Sequence, residues 1–389
     1  MTDRLVFLLF ITIGLLAADL QWTHLSSREG DLPKPGPSPQ QTASLILDVD
    51  QDSLNDFIIA SRVTGPSVLW YRRHASGWTK YVIDPDFLPI EAGGASHDID
   101  RDGDVDIVFG GDAGSNQIWW WENPHPDFDT ATPWRRHLIK DSGGNKHHDQ
   151  LFGDFDGDGK AELASWNQFG QTLLLFEIPS EPKVISEWPS VAIYTWSEQK
   201  QLEGLAATDI NEDGKLDIVG GGRWFEHLEA STFKHHVIDD SYGFSRAAAG
   251  QLKAGGRPEV VFVPGDLDGR AKWFEWTGQE WIGHDLLGFE VIHGHTLQLA
   301  DFNSDGNLDI FCAEMGRWRS RAETPDNPNA RMWIFLGDGQ GNFDTTIVAR
   351  GFGNHESKAG DLDGDGDVDI LGKPYHWETP RVDVWLNGR

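Results

Sequence analysis

The chain of 389 residues has one cysteine, Cys312, so no internal disulfide framework can hold it together. Basic residues are scarce: 32 Lys and Arg stand against 62 Asp and Glu, a formal net charge of −30 at pH 7. Such a surface repels nucleic acid and anionic membranes, both of which are recognised through Lys/Arg patches. Long apolar runs are scarce too. The one of note, Leu5 to Leu16, is too short to span a bilayer comfortably. It follows Arg4 and precedes Ala17, Ala18 and Asp19, the order of a secretory signal; a retained anchor is the other reading. No cysteine lies near the expected cleavage point, which excludes a lipoprotein tether. We therefore expect a signal peptide at 1–18, a secreted or periplasmic protein, and no stable membrane insertion after cleavage. The G-x-S-x-G and H-E-x-x-H patterns are absent, which removes the common serine and zincin hydrolase templates.

What is present is a repeat. The pattern D-x-[DN]-x-D-G-x-x-[DE], followed by an apolar run, begins at Asp48, Asp98, Asp154, Asp209, Asp301 and Asp361. A seventh, degenerate copy, QLKAGGRPE from Gln251, keeps its closing acid, Glu259, and the apolar run Val260–Val261–Phe262. Each unit reads as four short strands: one into the acidic loop, one out of it, a third, and a fourth opened by an aromatic such as Trp78, Trp134, Phe233 or Trp281. Seven such units predict an all-β, seven-bladed β-propeller, a fold that removes open sheet edges by closing on itself. Eighteen Trp and 21 Phe suit sheets packed face to face. The seventh unit runs out of chain after its third strand, while the orphan segment Leu20–Ser26 precedes the first. The N-terminal strand is thus expected to complete the last blade. Pro33, Pro35, Pro37 and Pro39 mark an extended linker, giving a closing strand and linker at 19–43 and a propeller at 44–389.

The acidic loops match what a hard cation asks for, six to eight oxygens from alternating residues of a tight turn. The expected calcium ligands are Asp48, Asp50, Asp52 and Asp56; Asp98, Asp100, Asp102 and Asp106; and Asp154, Asp156, Asp158 and Glu162. The remaining three sets are Asp209, Asn211, Asp213 and Asp217; Asp301, Asn303, Asp305 and Asp309; and Asp361, Asp363, Asp365 and Asp369. In the first loop Ser53 replaces the glycine. Asx-rich turns without an ion are the competing reading. Repulsion among four carboxylates favours the ion.

Six residues before each acidic loop, where the innermost strand begins, stand His148, Glu203, His295 and His355. The other units offer Thr42, Ala92 beside Glu91, and Ser245 beside Arg246. Rotation about the propeller axis brings equivalent positions together, so three imidazoles and a carboxylate are expected to converge as a site for Zn2+, Mn2+ or Fe2+. Polar caps lining a wet channel are the alternative. His137, His236 and His284 recur in fourth strands and are expected to be structural. Loops on the same face carry Arg62, Asp112, Asn167, Gln168, Arg223, Trp224, Glu314, Arg317, Lys373, Tyr375 and His376, a mixture suited to sugar hydroxyls. The insertion at 316–330 reads equally as a lid or a variable surface loop.

The repeat resembles the FG-GAP or VCBS family, also seen in integrin-like propellers, over nearly all of 20–389. More narrowly, HHDQLFGDFDGDGKAEL (147–163) and GKPYHW (372–377) look like the propeller of fungal aldos-2-ulose dehydratase. That resemblance implies a catalytic metal held by His148, Glu203, His295 and His355, a base among Lys373, Tyr375 and His376, and β-elimination from a keto-sugar. The sequence has no counterpart of the fungal cupin and lectin domains, which leaves the isomerase step without a home. The expected protein is a monomer acting on a sugar or glycan as a carbon–oxygen lyase. A non-catalytic binding propeller and a metal-assisted hydrolase are the competing classes.

Overall fold

The computed structural model describes residues 20–316 and 324–388. The expected signal peptide and part of the 316–330 insertion, including Arg317, lie outside the described residues. Seven four-stranded antiparallel sheets follow one another, each ordered from inside to outside as in sequence, with one exception. The exception is the last. There, Lys358–Gly360, Asp369–Gly372 and Asp383–Gly388 are completed by Gln21–Ser26, paired from Gln21↔Gly388 to Ser26↔Asp383. The N-terminal strand therefore closes the ring as expected. His24 fixes it by stacking on Trp385 at 4.6 Å and placing Nε2 3.1 Å from Asp383.

The proline-rich linker lies against blade 1: the Tyr71 hydroxyl donates to the Pro33 carbonyl at 3.0 Å, and Lys80 Nζ to that of Lys34 at 2.6 Å. The innermost strand of blade 1, Gln40–Leu47, begins three residues ahead of the boundary placed at 43.

Strands alternate their side chains between two faces, and here both faces are buried. In blade 1, Ile58, Ala60, Val68 and Trp70 join the cluster shared with blade 2. Phe57, Ile59, Leu69 and Tyr71 join the one shared with blade 7. The same holds around the ring, giving one apolar cluster per blade interface. This explains near-continuous apolar runs such as Val260–Val261–Phe262 where a half-exposed strand would alternate.

The closing acid of each acidic loop has a structural task of its own. Asp106 accepts from the amides of Ile99 and Asn123, Asp217 from Ile210 and His227, Asp309 from Phe302 and Gly337, and Asp369 from Leu362 and Asn387. Glu259 does likewise for Leu252 and Lys253, both at 2.9 Å, which accounts for its survival in the degenerate loop. Glu259→Ala is expected to destabilise the protein by about 2 kcal/mol, the scale of two buried amides losing a charged acceptor. Urea denaturation checks this, and the loss should be equal with and without calcium.

The fourth-strand histidines are structural as expected. His137, His236 and His284 stack on Trp120, Trp224 and Trp273 and bond to Glu122, Glu226 and Glu275 of the neighbouring strand.

Candidate metal centre

The innermost strand of each blade runs from the axis-facing end to its acidic loop, so the ring residues and the loops occupy opposite ends. His148 and Asp154 are separated by about 20 Å of extended chain. At the ring end the strands of blades 3 and 1 bulge, with register shifts between His148 and Gln150 and between Gln41 and Ala43. The residue after the ring position takes a left-handed backbone in four blades: Gly93 (φ 112°), Asp149 (φ 55°), Gly204 (φ 81°) and Glu356 (φ 51°). This turn breaks the two-residue alternation, so both the ring residue and its successor can turn toward the axis.

His148, Glu203, His295 and His355 are all buried, and they converge. His148 Nε2 lies 3.2 Å from Glu203 Oε2, and His295 Nε2 lies 3.5 Å from Glu203 Oε1. His295 and His355 stack at 4.3 Å, and Tyr375 continues the column 4.7 Å beyond His355. His148, Glu203 and His295 offer three ligand atoms within 4.8 Å of one another, and Asp266, His295 and His355 offer another such set. Asp266 follows the second strand of the degenerate blade, with Oδ1 4.0 Å from His295 Nε2. A Cβ at Gly265 would stand 2.2 Å from Glu203 Oε1, so glycine is what admits the carboxylate here.

Both Glu203 oxygens and Asp266 Oδ1 are buried without a hydrogen-bond partner. Buried polar atoms are nearly always paired, so such a group calls for an explanation, an ion among them. Burial pushes the Glu203 carboxyl up, opposed by His148 and Arg246. It lifts Asp266 to about 6, opposed by His295. Burial disfavours the His148 imidazolium, but Glu203 and Asp149 outweigh it and hold its pKa at about 9. His355 is pushed well below the usual histidine range by burial and by His295 and Lys373. Three imidazoles and two carboxylates form a donor set of the kind that suits zinc, manganese or iron.

A second layer holds the imidazoles. His148 Nδ1 lies 2.8 Å from Asp149 Oδ2, and His295 Nδ1 lies 3.3 Å from Glu356 Oε1. Sequence reasoning missed Asp149, Glu356 and Asp266. The first two carried a signal: in blades 3 and 7 an acid directly follows the ring histidine.

The other ring positions take no part. Thr42 and Ala92 are buried, and Glu91 is 3.2 Å from Arg62 NH1 and accepts from the Ala92 amide. Lys373 is buried, its ammonium donating to the carbonyls of Gln41 (3.1 Å) and His355 (2.5 Å), which ties the last blade to the first. Tyr375 takes a hydrogen bond from Arg62, and His376 lies 4.5 Å from the Tyr375 ring. Arg62 also pairs with Asp112 at 2.6 Å. Asn167 and Gln168 bond to nearby backbone, Arg223 pairs with Asp240, and Glu314 binds Arg331. Trp224 is no exposed sugar plate: it is buried in the interface between blades 4 and 5.

In the acidic loops the first Asp caps the turn. Asp154 accepts from the amides of Gly157 and Gly159, and Asp209, Asp301 and Asp361 make equivalent pairs. Ser53 adopts the glycine-like backbone at φ 73°, so the first loop keeps its shape at a steric cost. In blades 1 and 2 a basic side chain enters the loop: Arg72 pairs with Asp50, and Lys183 lies 2.5 Å from Asp100.

Residues 98–165 and 301–372 match the FG-GAP-like repeat family. No curated protein matches the chain. Among solved structures, BBS1N in complex with ARL6DN is similar with a TM-score of 0.54 and 9% identity, covering 95% of this chain and 97% of that one. The rhamnogalacturonan lyase YesW gives a TM-score of 0.48 and 15% identity, covering 91% of this chain and 74% of that one. At 9% identity the first of these likenesses speaks for fold alone, and nothing is drawn from the second. The chain is a seven-bladed propeller that carries FG-GAP-like repeats in two places.

Proposed function

We propose that this protein is an exported, monomeric, metal-dependent carbon–oxygen lyase acting by β-elimination on keto-sugars or oxidised glycosides. The observation that carries the reading is the pair of orphaned Glu203 oxygens facing His148 and His295 at the axis. His148, Glu203, His295, His355 and Asp266 would hold the metal, which supplies Lewis acidity toward a keto oxygen. A cleft of about 520 Å3, lined by Lys146, Gln201, Ser241, Phe244 and Leu267 among others, reaches Asp266 and has room for a sugar ring. Tyr375 stands over His355 with its hydroxyl on Arg62, and His376 lies against the Tyr375 ring; the proton exchange is assigned to these two residues. In the elimination, the base takes the α-proton. The C–H electron pair becomes the new double bond, and hydroxide or an alkoxide leaves with a proton. Lys373 is assigned to holding the fold, since both carbonyls it binds belong to backbone.

Incubation with keto-glycosides should generate an unsaturated product absorbing in the ultraviolet. A saturated product would mean hydrolysis. Retention of glycan without turnover would mean a binding propeller.

Calcium in the acidic loops is part of the same proposal. Burial lifts Glu162 and Asp369 to about 7 and Asp217 and Asp309 to about 6, so a cation beside them would favour their charged forms. Arg72 and Lys183 pair with the little-exposed side chains of Asp50 and Asp100 in blades 1 and 2, whereas Lys160 in blade 3 meets only the exposed Asp158, so calcium is expected in the loops of blades 3, 4, 6 and 7 alone. Equilibrium dialysis should then saturate at about four ions per chain, within the six to eight oxygens each loop can approach. Six ions would overturn the exclusion of blades 1 and 2.

A further inference from the structure

The degenerate fifth blade offers the axis no metal donor at its ring position, only Ser245, whose hydroxyl turns to the Tyr242 carbonyl. The next residue, Arg246, reaches the axis instead. Its NH2 lies 2.7 Å from Asp149 Oδ1 and 3.0 Å from Glu356 Oε1, carboxylates contributed by blades 3 and 7. Each carboxylate in turn meets the Nδ1 of a ring histidine, Asp149 that of His148 at 2.8 Å and Glu356 that of His295 at 3.3 Å. The result is one connected path, His148–Asp149–Arg246–Glu356–His295. It is supported from outside by the Gly204 amide on Asp149 (2.7 Å) and by Lys358 on Glu356 (3.2 Å).

We infer that Arg246 is a positioning residue of the central site: by bridging Asp149 and Glu356 it orients two imidazoles of different blades toward one point. This rests on the metal reading above. His148 Nδ1 is held by a hydrogen bond to Asp149 and His295 Nδ1 by a 3.3 Å ion-pair contact with Glu356, and an imidazole so held presents its Nε2 to a metal in a fixed ring orientation. Both Nε2 atoms here point at Glu203. One guanidinium nitrogen, NH2, also keeps two buried carboxylates close without their repelling each other, while NH1 has no hydrogen-bond partner among the described residues. The fifth blade thus gives up the ring-position ligand and an acidic loop, yet supplies Asp266 and the cation that ties the other blades' ligands together.

The test uses Zn2+ and Co2+ as probes on the purified calcium-loaded protein. Removing Arg246 alone would leave two buried carboxylates without the cation they share, so the informative variant is Arg246→Met/Asp149→Asn/Glu356→Gln, which replaces the cluster with neutral groups of similar shape. Its melting temperature and calcium content are expected to stay near those of the unmodified protein. Its zinc affinity, measured against a chromophoric chelator, should fall by about 10- to 100-fold, the scale of lost outer-shell support. The visible spectrum of bound Co2+ should change shape, which a merely structural arginine would not cause. Arg246→Lys, which keeps the charge but not the planar guanidinium, should fall between the two. Equal zinc affinity and an unchanged cobalt spectrum in the triple variant would overturn the role of Arg246. Failure of the unmodified protein to bind zinc or cobalt at all would overturn the metal reading beneath it, and this inference with it.

Discussion

The Glu203→Gln protein is expected to hold the central metal at least about 100-fold more weakly than the unmodified protein, with its melting temperature nearly unchanged. Loss of outer-shell partners alone weakens metal sites by about 10- to 100-fold, and a ligand should exceed that. Glu203 faces both His148 and His295, and neither of its oxygens has a hydrogen-bond partner among the described residues. The amide would place an N–H₂ group where a lone pair is needed. It would also remove the nearest anionic counterpart of the metal charge. Stability should survive because burial already works against the charged carboxylate, so neutralising it removes a desolvation penalty along with an ion pair. Zinc titration with parallel thermal melts checks both halves. An affinity within a few-fold of the unmodified protein would remove Glu203 from the ligand set.

Deleting residues 20–26 should abolish stable folding. The segment pairs along six positions with Asp383–Gly388 and packs Trp22 and Leu25 against neighbouring clusters. At roughly 1 kcal/mol net per hydrogen bond and about 2 kcal/mol per large buried side chain, its loss is on the order of 5–10 kcal/mol. That is comparable with the entire stability of an ordinary domain. It would also bare the outer edge of blade 7, a template for aggregation. Size-exclusion chromatography and circular dichroism of the truncated chain provide the check, and a synthetic peptide of residues 20–26 added during refolding should restore the monomer. A truncated protein that melts at the original temperature would show that closure contributes little.

Phase made the ring legible. Because the repeats are related by rotation, counting back from each acidic loop found His148, Glu203, His295 and His355 without any knowledge of the sheets. The same counting could not find Asp149 and Glu356. In a regular strand their side chains would point away from their neighbours' face, and only the left-handed backbone at each residue turns them toward Arg246. Asp266 escaped for another reason: it sits in a loop beyond strand Glu259–Pro264, where neither strand period nor repeat phase applies. Trp224 was misplaced in the opposite sense. It occupies the third strand, Arg223–Glu229, and its ring lies on His236. Blade closure was legible because an incomplete last unit and an orphan first segment can only be reconciled by joining them.

The most direct test of the central claim is metal content by mass spectrometry of the purified protein beside a His148→Ala/His295→Ala/His355→Ala variant. The account predicts near-stoichiometric zinc, manganese or iron in the unmodified protein, lost from the variant while its calcium is retained. Calcium alone in both proteins, after purification in metal-replete medium, would contradict a central metal site and leave the axis as a set of buried polar contacts.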